Sequence, residues 1–378
     1  MLHSNSVIQR GMAPLTGIRV VDLSRLLPGP LCSWYLQGLG ASVVKVEQPG
    51  VGDYIRSFPP FFSDGKGAWY SALNSGKRSV ALDLKKDEHR QALRALLAEA
   101  DVLIESFRPG VMARLGLDPL QLRAEFPRLI ICSITGFGQT GPMKDHPGHD
   151  LGYVALSGTL SLGARADGIP TVPGTQVADV AGGSLTAGMR ICAALVGRSV
   201  SGEGDWLDVS MTEGVMALEV TTVAAMAASG DLPEPGGELL TGGSPQYRCY
   251  RCRDDGMLAV AALEPKFWKL LCLAVGQDLQ PDATDLEKLF EGRDRDEWVE
   301  LLGDACCAPV LSLDELSSHV QHIERKSITG SGEQLRVSHP FPGGDLTARL
   351  PAPDLGQHTQ EVLAEVGFDW TRLQGEEI

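Results

Sequence analysis

Short apolar runs alternate with amphipathic stretches along the first 135 residues of this chain. Apolar runs of this length are typical of strands, and Leu93, Leu96 and Leu97 recur at helical spacing. The pattern predicts strands at 18–23, 43–46, 102–105 and 129–133, and helices at 30–39 and 87–100. Because these strands are largely apolar and separated by helices, we expect an α/β fold with a parallel sheet covered on both faces.

The pattern changes after residue 180. Small residues dominate a long predicted helix at 182–197, and a predicted strand at 206–210 leads into a helix at 211–228. The segment 229–237 is rich in glycine and proline, which is typical of a linker, so we place a domain boundary there. Beyond it the pattern predicts a strand at 257–263 and helices at 265–274, 296–302 and 359–366.

Length and charge restrict the function. The 378 residues, 43% of them apolar, suffice for two domains, and a net charge of −15 argues against nucleic-acid binding. We find no apolar run of roughly 18–20 residues, so no membrane span is expected. The first 14 residues lack the apolar core of a signal peptide and the last four, Gly-Glu-Glu-Ile, do not form a peroxisomal address, so a cytoplasmic protein is the default expectation.

Two motif matches fail on context. The sequence Gly136-Phe137-Gly138-Gln139-Thr140-Gly141 matches the dinucleotide fingerprint, but Pro142 and Pro147 follow where the fingerprint requires a helix to begin. Cys249 and Cys252 have the spacing of zinc ligands, but no second pair completes a site, and His319 and His322 are more typical of a solvated helix face. We therefore predict neither a Rossmann cofactor nor a metal.

Basic side chains cluster locally in this acidic chain. They are Lys77, Arg78, Lys85, Lys86, Arg108 and Arg114. Residues 105–110 follow the predicted strand at 102–105, and residues 83–85 are expected at the end of a further strand to which the pattern gives no bounds. The ends of strands are where α/β sheets bind ligands. The cluster is either ordinary surface charge or a site for the phosphates of an anionic cofactor.

Three ionisable residues stand at turn-to-helix junctions: His149 in Gly-His-Asp, Asp179 in Ala-Asp-Val-Ala-Gly-Gly, and Glu264 in Leu-Glu-Pro. Each has a structural alternative, because His149 could be an ordinary structural histidine, and Asp179 and Glu264 could cap helices. An imidazole and a carboxylate on opposite faces of one carbon would invert it, so His149 and Asp179 together suggest a racemase.

A series of motifs in a fixed order gives the chain a family resemblance. They are Arg25-Leu26-Leu27-Pro28-Gly29-Pro30, the segment 39–47, Asn74-Ser75-Gly76-Lys77-Arg78-Ser79, Leu82-Asp83-Leu84-Lys85, Phe107-Arg108-Pro109-Gly110, Arg114-Leu115-Gly116, Gly202-Glu203-Gly204, Asp208-Val209-Ser210-Met211 and Gly356-Gln357-His358-Thr359. Over nearly its whole length the chain resembles the family III CoA-transferases and α-methylacyl-CoA racemases.

The resemblance implies a fold and an assembly. It implies a Rossmann-like large domain with a parallel sheet, a smaller α+β domain and an interlocked homodimer whose active site lies between the large domain of one chain and the small domain of its partner. The expected boundaries are a first part of the large domain at 1–205, a helical linker at 206–235, the small domain at 236–325 and a return to the large domain at 326–378.

The resemblance also implies roles for residues. The transferases use the aspartate that Asp179 resembles as a nucleophile, whereas the racemases add a histidine in Gly-His-Asp, matched by His149, and a glutamate matched by Glu264. CoA contacts carry over onto Leu26, Leu82, Lys85, Ser106, Phe107, Arg114 and Leu115. The expected activity is inversion of C2 in a 2-methylacyl-CoA, with CoA as part of the substrate and no other cofactor.

Two alternatives stay open. A CoA-transferase would use Asp179 without needing His149, because a carboxylate nucleophile requires no general base. A regulatory protein would bind CoA without turnover. In the racemase hypothesis the enolate also needs backbone N–H donors, for which the helices beginning near His149 and Asp179 are the candidates.

Overall fold

The computed structural model describes residues 13–163, 168–280, 286–341 and 350–373, which divide into two compact units. The first unit contains the described residues up to Ser157, Thr175–Ala217 and those from Arg325 onward. The second contains the described parts of Gly158–Gly174 and Leu218–Glu324. Residues after the second unit therefore return to the first.

A six-stranded parallel sheet forms the centre of the first unit, in the order β3-β2-β1-β4-β5-β6. Its strands are β1 (Arg19–Asp22), β2 (Ser42–Glu47), β3 (Arg78–Ala81), β4 (Val102–Glu105), β5 (Ile130–Thr135) and β6 (Trp206–Ser210). This is the strand order of the doubly wound Rossmann fold. The α/β prediction is confirmed, and β3, of which the sequence indicated only an end near residues 83–85, completes one edge.

Helices and short turns connect these strands. The α-helices are α1 (Pro28–Gly38), α2 (Ala68–Asn74), α3 (Asp87–Ala98), α4 (Val111–Arg114), α5 (Pro119–Glu125), α6 (Asp150–Leu156), α7 (Thr186–Ser201), α8 (Met211–Met216), α9 (Val220–Ser229), α10 (Pro265–Val275), α11 (Leu286–Phe290), α12 (Arg295–Leu302), α13 (Val320–Arg325) and α14 (Thr359–Glu365). A π-helical segment, Ala178–Leu185, leads directly into α7.

Two of the predicted helices differ from those observed. The helix expected at 182–197 begins earlier, with the π-helical segment, in which Gly182 packs against the backbone of α8. A β-carbon at Gly182 would lie 2.3 Å from the Met211 carbonyl oxygen, so only glycine fits this approach. The single helix expected at 211–228 is interrupted by a 3₁₀ turn, Ala217–Glu219, at the border between the two units.

Buried charges hold the loop that follows β1. Lys77 lies 3.5 Å from the Asp22 carboxylate, with both side chains fully buried, and Lys45 lies 3.2 Å from Asp53. Burial lowers the pKa of Lys77 to about 8. Lys77 therefore fits neither alternative given for the basic cluster, because its ammonium group is buried and Asp22 and its neighbours already surround it. Arg78 is likewise engaged, 2.7 Å from Glu365.

The second unit has its own small core. Its antiparallel sheet, in the order β7-β8-β9, consists of β7 (Tyr247–Arg251), β8 (Met257–Ala261) and β9 (Cys307–Pro309). Trp268, Phe290 and Trp298 are buried among the helices of this unit. Two further short strands, β10 (Ile328–Thr329) and β11 (Arg336–Val337), pair in the first unit.

Two helical stretches, Ala178–Ser201 and Met211–Ser229, are long and apolar enough by composition to cross a membrane, contrary to the expectation that no stretch would qualify. Within the first stretch Arg198 lies 2.7 Å from Asp101, and its helix α7 packs against the sheet. Helices that cover a sheet pass the same test, so the finding is weak evidence for a membrane. Several apolar side chains of α7 are nevertheless exposed, among them Val200 at 89%.

Candidate active site

Two cavities open at the carboxyl edge of the parallel sheet. The strand order reverses between β1 and β4, and both cavities share Arg25, which follows β1, and Phe107, which follows β4. A reversal of this kind leaves a crevice between the connections that leave the sheet on opposite sides. Both cavities therefore lie at the strand ends, where the sequence predicts a ligand site.

The first cavity has a volume of about 280 Å³ and lies over β1, β2 and β3. Four of the residues predicted to contact CoA line it: Leu82, Lys85, Phe107 and Leu115. Leu82 is buried, whereas the Lys85 side chain is exposed and free to reach an anionic group. Leu26, Ser106 and again Phe107 line the second cavity, but Arg114 lines neither and lies exposed at the end of α4.

Arg25 stands in the wall between the cavities, a position to which the sequence reasoning gave no role. Its guanidinium group donates a hydrogen bond to the Tyr54 hydroxyl at 2.9 Å and lies 5.5 Å from the centre of the Phe107 ring. Its backbone N–H donates to Ser106 Oγ at 3.1 Å. The signal was its position directly after β1 in the Arg-Leu-Leu-Pro-Gly-Pro motif.

The Glu105 side chain, at the end of β4, accepts a hydrogen bond from the loop that follows. The backbone N–H of Phe107 donates to Glu105 Oε2 at 2.8 Å, and burial raises the pKa of this carboxyl to about 7. The shape of the Ser106–Phe107 turn therefore depends on a buried acid. Sequence alone could not identify this support, because Glu105 reads as an ordinary strand end.

The second cavity, of about 760 Å³, brings His149 and Asp179 together. His149 precedes the first residue of α6 and is exposed, with extended backbone angles. Gly148 allows this arrangement, because a β-carbon there would lie 2.4 Å from Cε1 of the buried Tyr153 ring. In the Gly-His-Asp motif the glycine therefore allows close contact with the Tyr153 ring, the histidine lines the cavity and the aspartate begins α6.

Asp179 lies in the first turn of the π-helical segment Ala178–Leu185. Burial, with a smaller contribution from the nearby Asp150 carboxylate, raises the pKa of Asp179 from 3.8 to about 7. Such a carboxyl populates its acid and its base form at neutral pH, which is what a group that both accepts and returns protons requires.

The start of the Asp179 helix is already hydrogen-bonded. The N–H groups of Ala178 and Asp179 donate to Asp150 Oδ1 at 2.7 and 3.0 Å, and that of Val180 donates to the Gln176 carbonyl. The expectation that this helix start offers donors to an enolate was therefore wrong. In the first turn of α6 the N–H groups of Gly152 and Tyr153 donate to the His149 carbonyl, so those of Asp150 and Leu151 remain the candidates for that role.

Glu264 lies in the second unit, directly before α10. Its backbone carbonyl accepts from Phe267 and Trp268, but its side chain makes no cap hydrogen bond and is exposed. The structural alternative of a side-chain helix cap is therefore wrong. The carboxylate is available for another role.

The glycine-rich loop after β5 does not open a helix. The N–H of Gly138 donates to Thr135 Oγ1 and that of Gln139 to the Asp208 carboxylate, and the next helix, α6, begins only at Asp150. The Phe137 ring packs against Tyr153 with ring centres 5.1 Å apart. Gly136 and Phe137 of this loop line the second cavity, and the loop does not have the helix start that a dinucleotide site requires.

Comparison with known proteins places the chain in a family. The model of CoA-transferase family III matches residues 15–359. The chain belongs to this family. The crystal structure of a CAIB/BAIF family protein from Brucella suis, 28% identical, superposes with a TM-score of 0.82 over 94% of this chain and 100% of that one.

Relatives of this chain carry different activities in their names. The human α-methylacyl-CoA racemase is 37% identical over 94% of this chain and 94% of its own length. The succinyl-CoA:mesaconate CoA-transferase of Haloarcula hispanica is 34% identical over 94% of this chain and 97% of its own. The family is enzymatic, and the choice between these chemistries must come from the site.

Proposed function

We propose that this protein is a racemase that inverts C2 of a 2-methylacyl-CoA thioester. The observation that carries the proposal is the presence of His149 and Asp179 in one cavity, with the pKa of Asp179 raised to about 7. Two proton-transfer groups at one reacting carbon are what an inversion needs and a simple acyl transfer does not.

The reaction exchanges one proton on each face of the α-carbon. For one enantiomer neutral His149 removes the α-proton while protonated Asp179 delivers its own proton to the opposite face. For the other enantiomer ionised Asp179 removes the proton and protonated His149 returns one. Between the two transfers the charge rests on the thioester oxygen as an enolate, which the backbone N–H groups of Asp150 and Leu151 would stabilise.

The substrate's CoA portion fits the two adjoining cavities. Leu82, Lys85 and Leu115 would contact it in the first cavity, and the thioester would reach past Phe107 and Ser106 into the second. Lys85 supplies a positive charge for the phosphates in a chain whose net charge is −15. CoA enters as part of the substrate, and the proposed reaction requires no further cofactor and no metal.

A homodimer completes the proposal. The exposed apolar side chains of α7, including Met189 at 68% and Val200 at 89%, form a surface that a second copy would cover. Glu264 of the partner chain would then orient His149 and stabilise its cationic form. The interlocked arrangement, the partners and a cytoplasmic location stay predictions.

The second candidate is a CoA-transferase, favoured by the name of the Haloarcula hispanica relative. Asp179 would attack the thioester carbonyl and release the CoA thiolate, which leaves an aspartyl anhydride. Attack of the CoA thiolate on the Asp179 carbonyl would release the first acid and give an aspartyl-CoA thioester for the acceptor acid. His149 has no step in this sequence.

Incubation of one enantiomer of a 2-methylacyl-CoA in D₂O, without an acceptor acid, distinguishes the two. The racemase incorporates deuterium at C2 with loss of optical purity. Absence of exchange across several acyl chains, together with CoA transfer to free acids, would establish the transferase. CoA binding with neither reaction would leave the regulatory protein.

The dependence of kcat/KM on pH gives an independent prediction. The racemase needs one proton shared between His149 and Asp179, so we expect a bell-shaped profile that falls when both groups are protonated and when both are deprotonated. A transferase needs only ionised Asp179, so its rate should rise with pH through about 7 and then stay level. A rate independent of pH between about 5 and about 8 would contradict the raised pKa.

A further inference from the structure

Asp150 connects the two chain segments that carry His149 and Asp179. Its Oδ1 atom accepts hydrogen bonds from the backbone N–H groups of Ala178 at 2.7 Å and Asp179 at 3.0 Å. Asp150 is also the first residue of α6, directly after His149. The Asp150 carboxylate therefore connects the start of α6, beside His149, to the start of the π-helical segment that contains Asp179. His149 and Asp179 are the two groups proposed to transfer protons.

This contact differs from an ordinary helix cap. Asp118 provides the comparison, since its carboxylate accepts from Leu120 and Gln121 in the helix that it begins, α5. Asp150 instead accepts from residues 28 and 29 positions further along the chain. A local cap stabilises its own helix, whereas a cap across two helices also fixes the separation of their first residues.

The Asp150 carboxylate acts on the Asp179 carboxyl through both a backbone hydrogen bond and its charge. Helices α1 and α8 face it with atoms of Pro28, Met211 and Val215. Of the charges near Asp179, Asp150 is the one that contributes to its raised pKa, after burial. Besides Asp179, the ionisable groups that line the second cavity are Arg25, Tyr54, Arg108, Lys144, His146, His149 and Tyr153.

We propose that the Asp150 carboxylate is a positioning residue, which holds the Asp179 carboxyl at a fixed place relative to His149. The inference rests on the proposed use of Asp179 in catalysis. The side chain acts through the backbone of residues 178 and 179. Since a proton transfer is sensitive to displacements of about 1 Å, loss of this connection should slow the chemical step more than it weakens binding.

Three variants test the proposal. Asp150→Ala removes both the acceptor oxygen and the charge, whereas Asp150→Asn keeps an acceptor oxygen and removes only the charge. Asp118→Ala is the matched control, because it removes a carboxylate that accepts two backbone N–H bonds away from both cavities. Each variant is assayed as the full-length protein for kcat and KM in the D₂O exchange reaction, and for thermal stability.

We expect Asp150→Ala to lower kcat roughly 100-fold with KM changed by less than about threefold. Asp150→Asn should retain most of kcat, because its amide oxygen can still accept, while the pH profile moves to lower pH since the neighbouring negative charge is gone. Asp118→Ala should lower the Tm to a similar extent as Asp150→Ala and leave kcat unchanged.

A spectroscopic measurement separates this inference from the proposed function. The ¹³C carboxyl resonance of Asp179, assigned by its loss in Asp179→Asn, can be titrated without substrate. A lower titration midpoint in Asp150→Asn supports the connection whichever reaction the enzyme performs. An unchanged midpoint, or equal kcat in Asp150→Ala and wild type, would overturn it, whereas absence of exchange in the wild type would count against the racemase alone.

Discussion

Replacement of His149 by alanine should reduce C2 deuterium exchange by a factor of roughly 1,000 or more. A positioned general acid or base contributes about 10²- to 10⁴-fold to a proton transfer, and each direction of the proposed inversion uses His149 once. The exposed position of His149 beside the start of α6 makes a large effect on folding unexpected. The loss should therefore appear in kcat, with the Tm close to that of the wild type.

His146→Ala is the matched control, because His146 is an exposed imidazole that lines the same cavity and has no role in the proposed reaction. It should stay within about threefold of the wild-type rate, as replacement of a non-participating side chain should. Partial recovery of His149→Ala by added imidazole would support a missing proton carrier. Wild-type exchange by His149→Ala would exclude the two-base mechanism, and retained CoA transfer would favour the transferase.

The sequence pattern predicts the central strands well and one edge poorly. The four predicted strands in the first 135 residues are buried within the parallel sheet, where an uninterrupted apolar run is itself the signal. Strand β3 has the sequence Arg-Ser-Val-Ala and lacks an apolar run. The polar Ser79 is tolerated at a buried position because its hydroxyl donates a hydrogen bond to Glu47 at 2.7 Å. A buried polar partner from another strand cannot be read from a local window.

Side-chain partners distant in sequence also explain what the motifs could not predict at the site. Lys77 is in a motif with neighbouring basic residues, and only the fold shows that it is paired with Asp22. Gly148 and Asp179 could be identified from motifs. Only the structure shows that the Tyr153 ring leaves no room for a β-carbon at Gly148, and that the Asp150 carboxylate contacts the backbone of Asp179 and raises its pKa. Motifs therefore identified the residues proposed to transfer protons, and the structure shows which neighbours contact them.

Replacement of Asp179 by asparagine should abolish both candidate reactions. An amide cannot exchange the proton that a racemase requires and cannot form the anhydride of a transferase, so we expect a loss of about 1,000-fold or more in either assay. The control is Asp145→Asn, which should stay fully active. Asp145 is an exposed carboxylate in the loop before α6 and does not line the cavity.

The same variant should be more stable than the wild type at neutral and alkaline pH. The pKa of Asp179 is raised from 3.8 to about 7 in the folded protein, so folding favours its protonated form. That stabilisation is complete below the unfolded value and is lost as the pH rises through about 7, where the buried carboxylate ionises beside Asp150. Asparagine resembles the protonated acid at every pH.

The difference in Tm between Asp179→Asn and the wild type should therefore be near zero at about pH 4 and positive at about pH 8. Differential scanning calorimetry across this range measures it. A variant that is inactive and less stable at pH 8 would show that Asp179 supports the fold as an ion, which contradicts the raised pKa. An inactive variant with increased stability would show that the carboxylate is retained for its chemistry at the expense of the fold.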